Sequence, residues 1–245
     1  MELVLIIIYG LTLSFIFLYS IVQINLVINY LKKDKNEPEP IAIENAKLPF
    51  VTIQLPLYNE LYVVDRLIDS IAKFDYPKDK FEIQILDDST DETVDIVAKK
   101  VAEYKNLGFN IYQHRRKVRT GYKAGALKEG MKICKGEFIA IFDADFLPDP
   151  SFLKKTLPHF KDEKIGVVQT KWEHLNKNYS LLTRLQAFGL DAHFTVEQTG
   201  RNFGNHFINF NGTAGIWRKT CIEDAGGWEA DTLTEDLDLS YRAQL

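Results

Sequence analysis

From Leu3 to Leu31 the chain runs LVLIIIYGLTLSFIFLYSIVQINLVINYL without one charged side chain. A helix needs roughly 20 such residues to cross a bilayer, so this run is long enough to span with some tilt. A cleaved signal peptide would bring a basic start, a shorter apolar core and a small-residue cleavage site, and none is present. The pattern predicts a transmembrane anchor over 1–31. Lys32, Lys33 and Lys35 follow it while only Glu2 precedes it, so the excess of basic residues assigns everything after the span to the cytoplasmic face. The stretch KKDKNEPEPIAIENAKLP is charged and proline-bearing, which reads as a linker over 32–48.

From residue 49 the pattern changes to alternating strand and helix. FVTIQLPLY is a buried-strand run, followed by a helix with Val64, Leu67, Ile68 and Ile71 on one face. FEIQILDD is a second strand, and the helix after it places Val94, Val97, Ala98 and Val101 on its apolar stripe. Both helices show the i, i+3, i+4, i+7 spacing. A strand near Asn110–Gln113, a helix from about Tyr122 to Ile133, and a strand from Phe138 to Phe142 come next. IGVVQTKW and FINFNGTAGIWR are later strands, separated by a helical stretch from about Ser180. That order predicts an α/β domain over 49–245, with a mostly parallel sheet covered on both faces.

Composition narrows the function classes. At 245 residues the chain can build one large α/β domain or two small ones. The formal net charge of −4, with basic residues concentrated in one short stretch, argues against a nucleic-acid partner. Cys134 and Cys221 stand alone, without disulfide or zinc-knuckle spacing. The five histidines are scattered and read as surface or packing residues.

Ligands of open α/β sheets bind at the carboxyl ends of the strands, and polar clusters lie there: YNE after the first strand, DDSTDE after the second, DAD after the fourth. In an extended segment Asp143 and Asp145 project to the same side. Two adjacent carboxylates repel unless a cation lies near them, and hard divalent ions such as Mg²⁺ or Mn²⁺ take carboxylate oxygen together with substrate phosphates. Asp149 and Pro150 read as a helix cap and first turn. Ser89 and Glu92 have the spacing of a capping box, with Asp91 favouring the helix start electrostatically. Asp87 and Asp88 precede that cap and can accept from a nucleoside base or ribose; Glu60 is a similar, weaker candidate. In HRRKVRTGYKAGALKEG, Lys123 sits where a glycine-containing turn becomes a helix and can meet a phosphate. Arg115, Arg116, Lys117 and Arg119 read mostly as a solvated turn. Thr234 reads as a cap with Glu235 and Asp236 behind it, either complementing the helix dipole or supplying a general base.

PLYNE, ILDDST, GYKAGALKEGM, FIAIFDADFLPDP, VVQTKWEHLN, FNGTAGIWR and GGWEADTLTEDLDLSYRA, in this order, resemble the family-two glycosyltransferases of the cellulose-synthase superfamily. They are most similar to its cellulose-synthase-like mannan and glucan synthases. The resemblance covers nearly everything from Pro49 onward. It implies a GT-A nucleotide-sugar fold on the cytoplasmic face of a membrane. By position it implies a nucleoside-binding pair at Asp87 and Asp88, a metal and diphosphate site at Asp143 and Asp145, and Lys123 near the phosphates. It further implies a catalytic base at Asp236 beside Glu235, and an acceptor path along Gln169, Asn211, Gly212 and Thr213. The chain ends at Leu245, ahead of the family's glutamine–arginine–tryptophan motif and later transmembrane helices.

These readings lead to one expectation. A membrane-bound inverting transferase, using Mg²⁺ or Mn²⁺, moves a hexose from UDP-glucose or GDP-mannose to a growing β-linked polysaccharide. The alternatives are single-sugar transfer to a lipid-linked acceptor and an inactive nucleotide-sugar-binding fragment. A sugar nucleotidyltransferase would instead carry a glycine-rich phosphate loop after the first strand, where this chain has LPLYNE.

Overall fold

The computed structural model describes residues 1–32, 43–44 and 47–245. The predicted linker over 32–48 therefore lies mostly outside the described residues. Contacts divide the chain into two compact units, one made of Met1–Pro38 with Lys171–Ile208 and the other of Glu39–Thr170 with Asn209–Leu245.

The larger unit is an α/β sandwich. Its strands are β1 (Val51–Leu57), β2 (Phe81–Asp87), β3 (Ile111–His114), β4 (Phe138–Ile141), β5 (Val167–Gln169) and β6 (Gly215–Arg218). They form one sheet in the order β3-β2-β1-β4-β6-β5. The first four are parallel, while β6 runs antiparallel to both β4 and β5. Strand order reverses beside β1, which makes the ends of β1, β2 and β4 the switch point where such sheets hold ligands. Pro56 is tolerated in the central strand because the β1–β4 ladder ends at Gln54 and Ile141, so no bond on that side needs its missing amide.

Two of the central strands carry polar residues that are buried. Thr52, Gln54, Glu82 and Gln84 are all 0–2 % exposed. Thr52 Oγ1 donates to Glu82 Oε1 at 2.7 Å, and the amides of Lys135 and Gly136 donate to Glu82 and Thr52, both at 2.8 Å. Burying such groups is tolerable only when paired, and this network pins the turn that leads into β4. Gly136 is required there, since a Cβ on it would lie 2.3 Å from the Thr52 amide.

The helices of this unit are α2 (Val64–Ile71), α3 (Thr93–Asn106), α4 (Tyr122–Ile133) and α5 (Phe152–Thr156), with α8 (Lys219–Asp224) and α9 (Glu235–Arg242) after the segment of the other unit. The four apolar positions expected on α2 are its buried residues, and α4 has the predicted bounds. On α3 the stripe differs: Val97 and Val101 are buried, but Val94 is half-buried, Ala98 is exposed, and Thr93 takes the inner position.

The expected capping box does not form. Ser89 Oγ accepts from the Asn59 amide at 2.9 Å, and Asp91 supplies the local bond by accepting from Thr93 N at 3.0 Å. At the next helix Asp149 Oδ1 accepts from Ser151 N at 2.8 Å, and α5 begins only at Phe152. Asp149 thus shapes the turn ahead of α5 and is not its cap, a position taken by Ser151, and Pro150 lies outside the helix.

The smaller unit holds α1 (Glu2–Lys32), then α6 (Leu181–Ala192), a π-helical stretch His193–Gln198 and α7 (Thr199–Phe203). Ser180 caps α6 with a capping box to Thr183. Among the described residues α1 is the one helix long and apolar enough to cross a membrane, and none of its most apolar 18-residue window is buried. It is a candidate transmembrane span. The π-helical stretch and α7 pack on it near its C-terminal end, where a Cβ on Gly200 would lie 2.4 Å from Leu26 O.

Candidate active site

The rim of the larger unit is built by loops tied to each other. Asn59 adopts a left-handed backbone, φ 58°, a conformation asparagine tolerates better than most residues. Its amide reaches Ser89 and its Oδ1 accepts from Thr90 N at 2.9 Å. The loops after β1 and β2 are thereby clamped together. Asp87 is fully buried, accepting from Ser89 N at 2.9 Å and from Gln113 Nε2 at 2.8 Å. Its carboxylate is a strut of the rim and is not on the pocket wall.

Asp88 does face the pocket, and it is paired. Arg116 Nε donates to Asp88 Oδ1 at 3.0 Å, and Arg116 Nη2 closes a second contact on Oδ2. The same guanidinium donates to the carbonyls of Thr120 and Tyr122 at 2.8 and 2.9 Å. With its side chain only 15 % exposed, Arg116 backs Asp88 and lines the neighbouring cleft, contrary to the solvated turn expected of it. Arg119 lies 3.5 Å above the Tyr58 ring, a cation–π contact, and its Nε is 3.9 Å from Asp88. A sequence signal for both was available: a rim with surplus carboxylates needs cations, and both arginines lie in the basic stretch that leads to Lys123.

The pocket, about 360 Å³, is lined by Tyr58, Glu60, Asp88, Lys123, Asp143 and Asp145 among others. Residues after β4 do not stay extended. The Phe146 amide bonds back to Asp143 O at 3.2 Å, so Asp143–Phe146 is a turn. A turn, and not strand alternation, brings both carboxylates to one pocket while Ala144 is buried. A larger cleft of about 720 Å³ shares Asp88 and is lined by Arg116, but contains neither Asp143 nor Asp145. Convergent carboxylates make the smaller pocket the candidate site.

Lys123 is the second residue of α4, after Gly121 at φ +71°. Its Nζ lies 2.5 Å from Asp143 Oδ1 and donates to Gly212 O at 3.0 Å. Gly212 is left-handed, φ +76°, and a Cβ there would stand 3.0 Å from Asp236 Oδ2 and 3.4 Å from Lys123 Nζ. Only glycine lets these three groups meet without strain. The 211–214 turn is held by Gln169, whose Oε1 accepts from Asn211 N at 2.8 Å while its Nε2 donates to Thr213 O at 3.0 Å. Thr213 Oγ1 in turn accepts from the Asp143 amide at 3.0 Å. Gln169 and Thr213 therefore buttress the site through bonds to its backbone.

Asp236 is the second residue of α9, after Glu235 and behind Thr234, which occupies the cap position without a side-chain bond. Leu237 N donates to Asp236 Oδ1 at 2.8 Å, leaving Oδ2 toward Gly212. Ser240 Oγ donates to Asp236 O at 2.6 Å and accepts from Phe210 N at 2.8 Å, fixing the helix start against the turn.

The electrostatics show crowded negative charge. Burial raises the pKa of Asp143, and Asp145 and Asp236 raise it further against the pull of Lys123. Burial likewise raises Glu60, with Asp145 and Asp143 adding to it, and raises Glu235, with Asp236 and Asp143 adding to it. Among the described residues no three His, Cys, Asp or Glu side chains converge closely enough to hold a metal ion by themselves. The pair Asp143 and Asp145 fits a hard divalent ion whose remaining ligands are phosphate and water oxygens.

Comparison with known proteins agrees with this architecture. The model of glycosyl transferase family 2 matches residues 52–223. Glucomannan 4-beta-mannosyltransferase 9 of Arabidopsis thaliana is 43 % identical over 87 % of this chain and 42 % of that protein. Glucomannan 4-beta-mannosyltransferase 1 of Cyamopsis tetragonoloba is 44 % identical over 81 % of this chain and 39 % of that protein. Among solved structures, a mannosyltransferase from Pyrobaculum calidifontis in complex with GDP-Man and Mn²⁺ aligns with a TM-score of 0.73 at 24 % identity, over 96 % of this chain and 61 % of that one. Staphylococcus aureus TarS 1–349 in complex with UDP aligns at 0.60 and 21 % identity, over 79 % and 54 %. The fold is the GT-A fold of glycosyltransferases. The chain belongs to glycosyl transferase family 2, and its curated relatives are cellulose-synthase-like. It spans less than half the length of those relatives.

Proposed function

We propose that the chain is the donor-binding part of a membrane-anchored inverting hexosyltransferase that extends a β-linked polysaccharide, with GDP-mannose as donor. The observation that carries the chemistry is the meeting of Lys123, Asp143 and Asp236 around Gly212. The donor preference is supported by the names of relatives at 43–44 % identity. The anchor is α1, and the positive-inside pattern supports a cytoplasmic site.

Mg²⁺ or Mn²⁺ bound through Asp143 and Asp145 would supply Lewis-acid stabilisation of the leaving nucleoside diphosphate. The chain's own groups supply the rest. Lys123, at the N-terminal turn of α4, exchanges its bond to Asp143 for a phosphate oxygen. Asp88, with Arg116 and Arg119 behind it and Tyr58 beside it, offers acceptors, donors and a stacking face to the nucleoside. Asp236 accepts the proton of the acceptor hydroxyl at Oδ2, since Oδ1 is held by the Leu237 amide. No second carboxylate is assigned as a covalent nucleophile, so one displacement converts an α-linked donor into a β-linked product.

The test is Asp236→Asn in the full-length enzyme, assayed with GDP-mannose and, in parallel, UDP-glucose. Transfer should fall by at least ~10²-fold, as for loss of a general base, while donor binding measured by calorimetry persists. Equal loss of binding and transfer would remove the base assignment, and turnover of UDP-glucose alone would reverse the donor.

A further inference from the structure

The residue that starts α4 is strained. Tyr122 has φ 46°, directly after Gly121 at φ +71°. Glycine takes the left-handed region freely, but a bulky side chain there is an outlier. Such a conformation persists only where the surroundings impose it. Lys123 comes next in the chain, so the path of this pair decides where its ammonium points.

One side chain supplies the hold. Arg116 Nη1 donates to Thr120 O at 2.8 Å and Nη2 to Tyr122 O at 2.9 Å, so its carbonyl partners bracket Gly121. Gly125 leaves room for this, since a Cβ there would overlap Thr120 O and stand 2.6 Å from Arg116 Nη1. From the same guanidinium, Nε and Nη2 clasp the two oxygens of Asp88, a carboxylate 6 % exposed. Four hydrogen bonds leave the fork little to offer a ligand, and Arg116 does not line the pocket of Asp143 and Asp145. Its neighbours on the turn differ. Arg115 donates to Ser89 O at 2.7 Å, and Arg119 rests on the Tyr58 and Tyr122 rings at 3.5 and 4.9 Å. Neither hydrogen-bonds the start of α4.

We propose that Arg116 is a positioning residue that couples the two ends of the donor site. Through Asp88 it fixes the acceptor group at the nucleoside end. Through the Thr120 and Tyr122 carbonyls it fixes the turn that aims Lys123 at the phosphates. The task needs a planar fork, because a single ammonium cannot meet both carboxylate oxygens and two carbonyls in set directions. This rests on the donor-site reading of Asp88 and Lys123 under the proposed function. It adds that the two act as one unit, so that loosening one side chain weakens the grip at both.

The affinity gained on passing from a nucleoside monophosphate to the diphosphate reports on the phosphate end. In the full-length enzyme with Mn²⁺, the ratio of Kd for GMP to Kd for GDP is measured by calorimetry, with UMP and UDP in parallel. Arg116→Lys keeps the charge beside Asp88 but loses the fork. Gly125→Ala keeps Arg116 and crowds it off the carbonyls. Each should lower the ratio at least ~5-fold, within the range of coupled neighbours, although neither residue lines the pocket. On a Lys123→Ala background the same changes should leave the ratio where Lys123→Ala alone puts it. Equal weakening of monophosphate and diphosphate in both variants overturns the proposal, since a purely structural role lowers the two alike. A further drop on the Lys123→Ala background overturns it too, because Arg116 then acts apart from Lys123. A wild-type enzyme that binds neither diphosphate removes the donor site itself, an outcome distinct from tight wild-type binding with unmoved ratios in the variants, which removes only the role of Arg116.

Discussion

A buried or crowded carboxylate changes meaning with its neighbours, and this rim holds several kinds. Asp87 spends both oxygens on the rim itself, Asp88 is neutralised by Arg116, and Asp143 shares Lys123 with the Gly212 carbonyl. Gly212→Ala should cost ~1–2 kcal/mol for a left-handed non-glycine residue, visible as a lower urea midpoint, and should depress transfer further by pushing on Asp236 Oδ2. The crowding also sets a pH response. Glu60, Asp143 and Glu235 hold protons more tightly folded than unfolded. In the window between the ordinary carboxylate range and these raised values the folded state binds more protons, so their contribution to stability falls as pH rises and levels off above. Without divalent ion, Asp145→Asn should melt higher than wild type at neutral pH and show a shallower decline across that window. Added Mn²⁺ should raise the melting temperature of wild type and leave the variant nearly unmoved. A wild-type protein indifferent to Mn²⁺ counts against the metal pair.

At the scale of elements, the polar network across β1 and β2 joins two strands to the turn before β4. Thr52→Val keeps the shape but strands the Gly136 amide and one bond of Glu82, an expected loss of ~1–3 kcal/mol by chemical denaturation. Leu67→Ala on α2 removes a fully buried side chain and should cost ~2–5 kcal/mol. The two differ in legibility. Leu67 was readable because helical periodicity is local, and the same holds for the bounds of α4 and the order of strands. The Thr52–Glu82 pair was not, since it joins residues 30 apart inside runs that look uniformly buried. Ser89 shows the same limit: its spacing to Glu92 fits a cap, but the Asn59 amide, also 30 residues away, takes the oxygen. At the site, residue types at strand ends announced the rim. The turn that gathers Asp143 and Asp145 is closed by a local bond from Phe146 N to Asp143 O, but which carboxylates line the pocket depended on long-range bonds from Arg116, Thr213 and Gln169. Spacing carries no trace of those.

For the whole molecule, two chemistries are kept in separate units: carboxylates and basic groups ring the pocket of the larger one, while the smaller one carries the candidate membrane span α1. Within the smaller unit the glycine-mediated crossing at Gly200 has a practical consequence. Because the helix backbone of α1 sits directly on that glycine, the first 32 residues complete a groove that nothing else among the described residues fills. Deleting them to obtain a detergent-free protein would uncover Phe194 and Gly200, both buried in the intact unit. Such a shortened version should self-associate, seen as a rising scattering mass with concentration. Serine or lysine substitutions confined to the exposed Leu185 and Phe188 of α6 should relieve this only in part, because the socket left by the missing anchor remains adhesive.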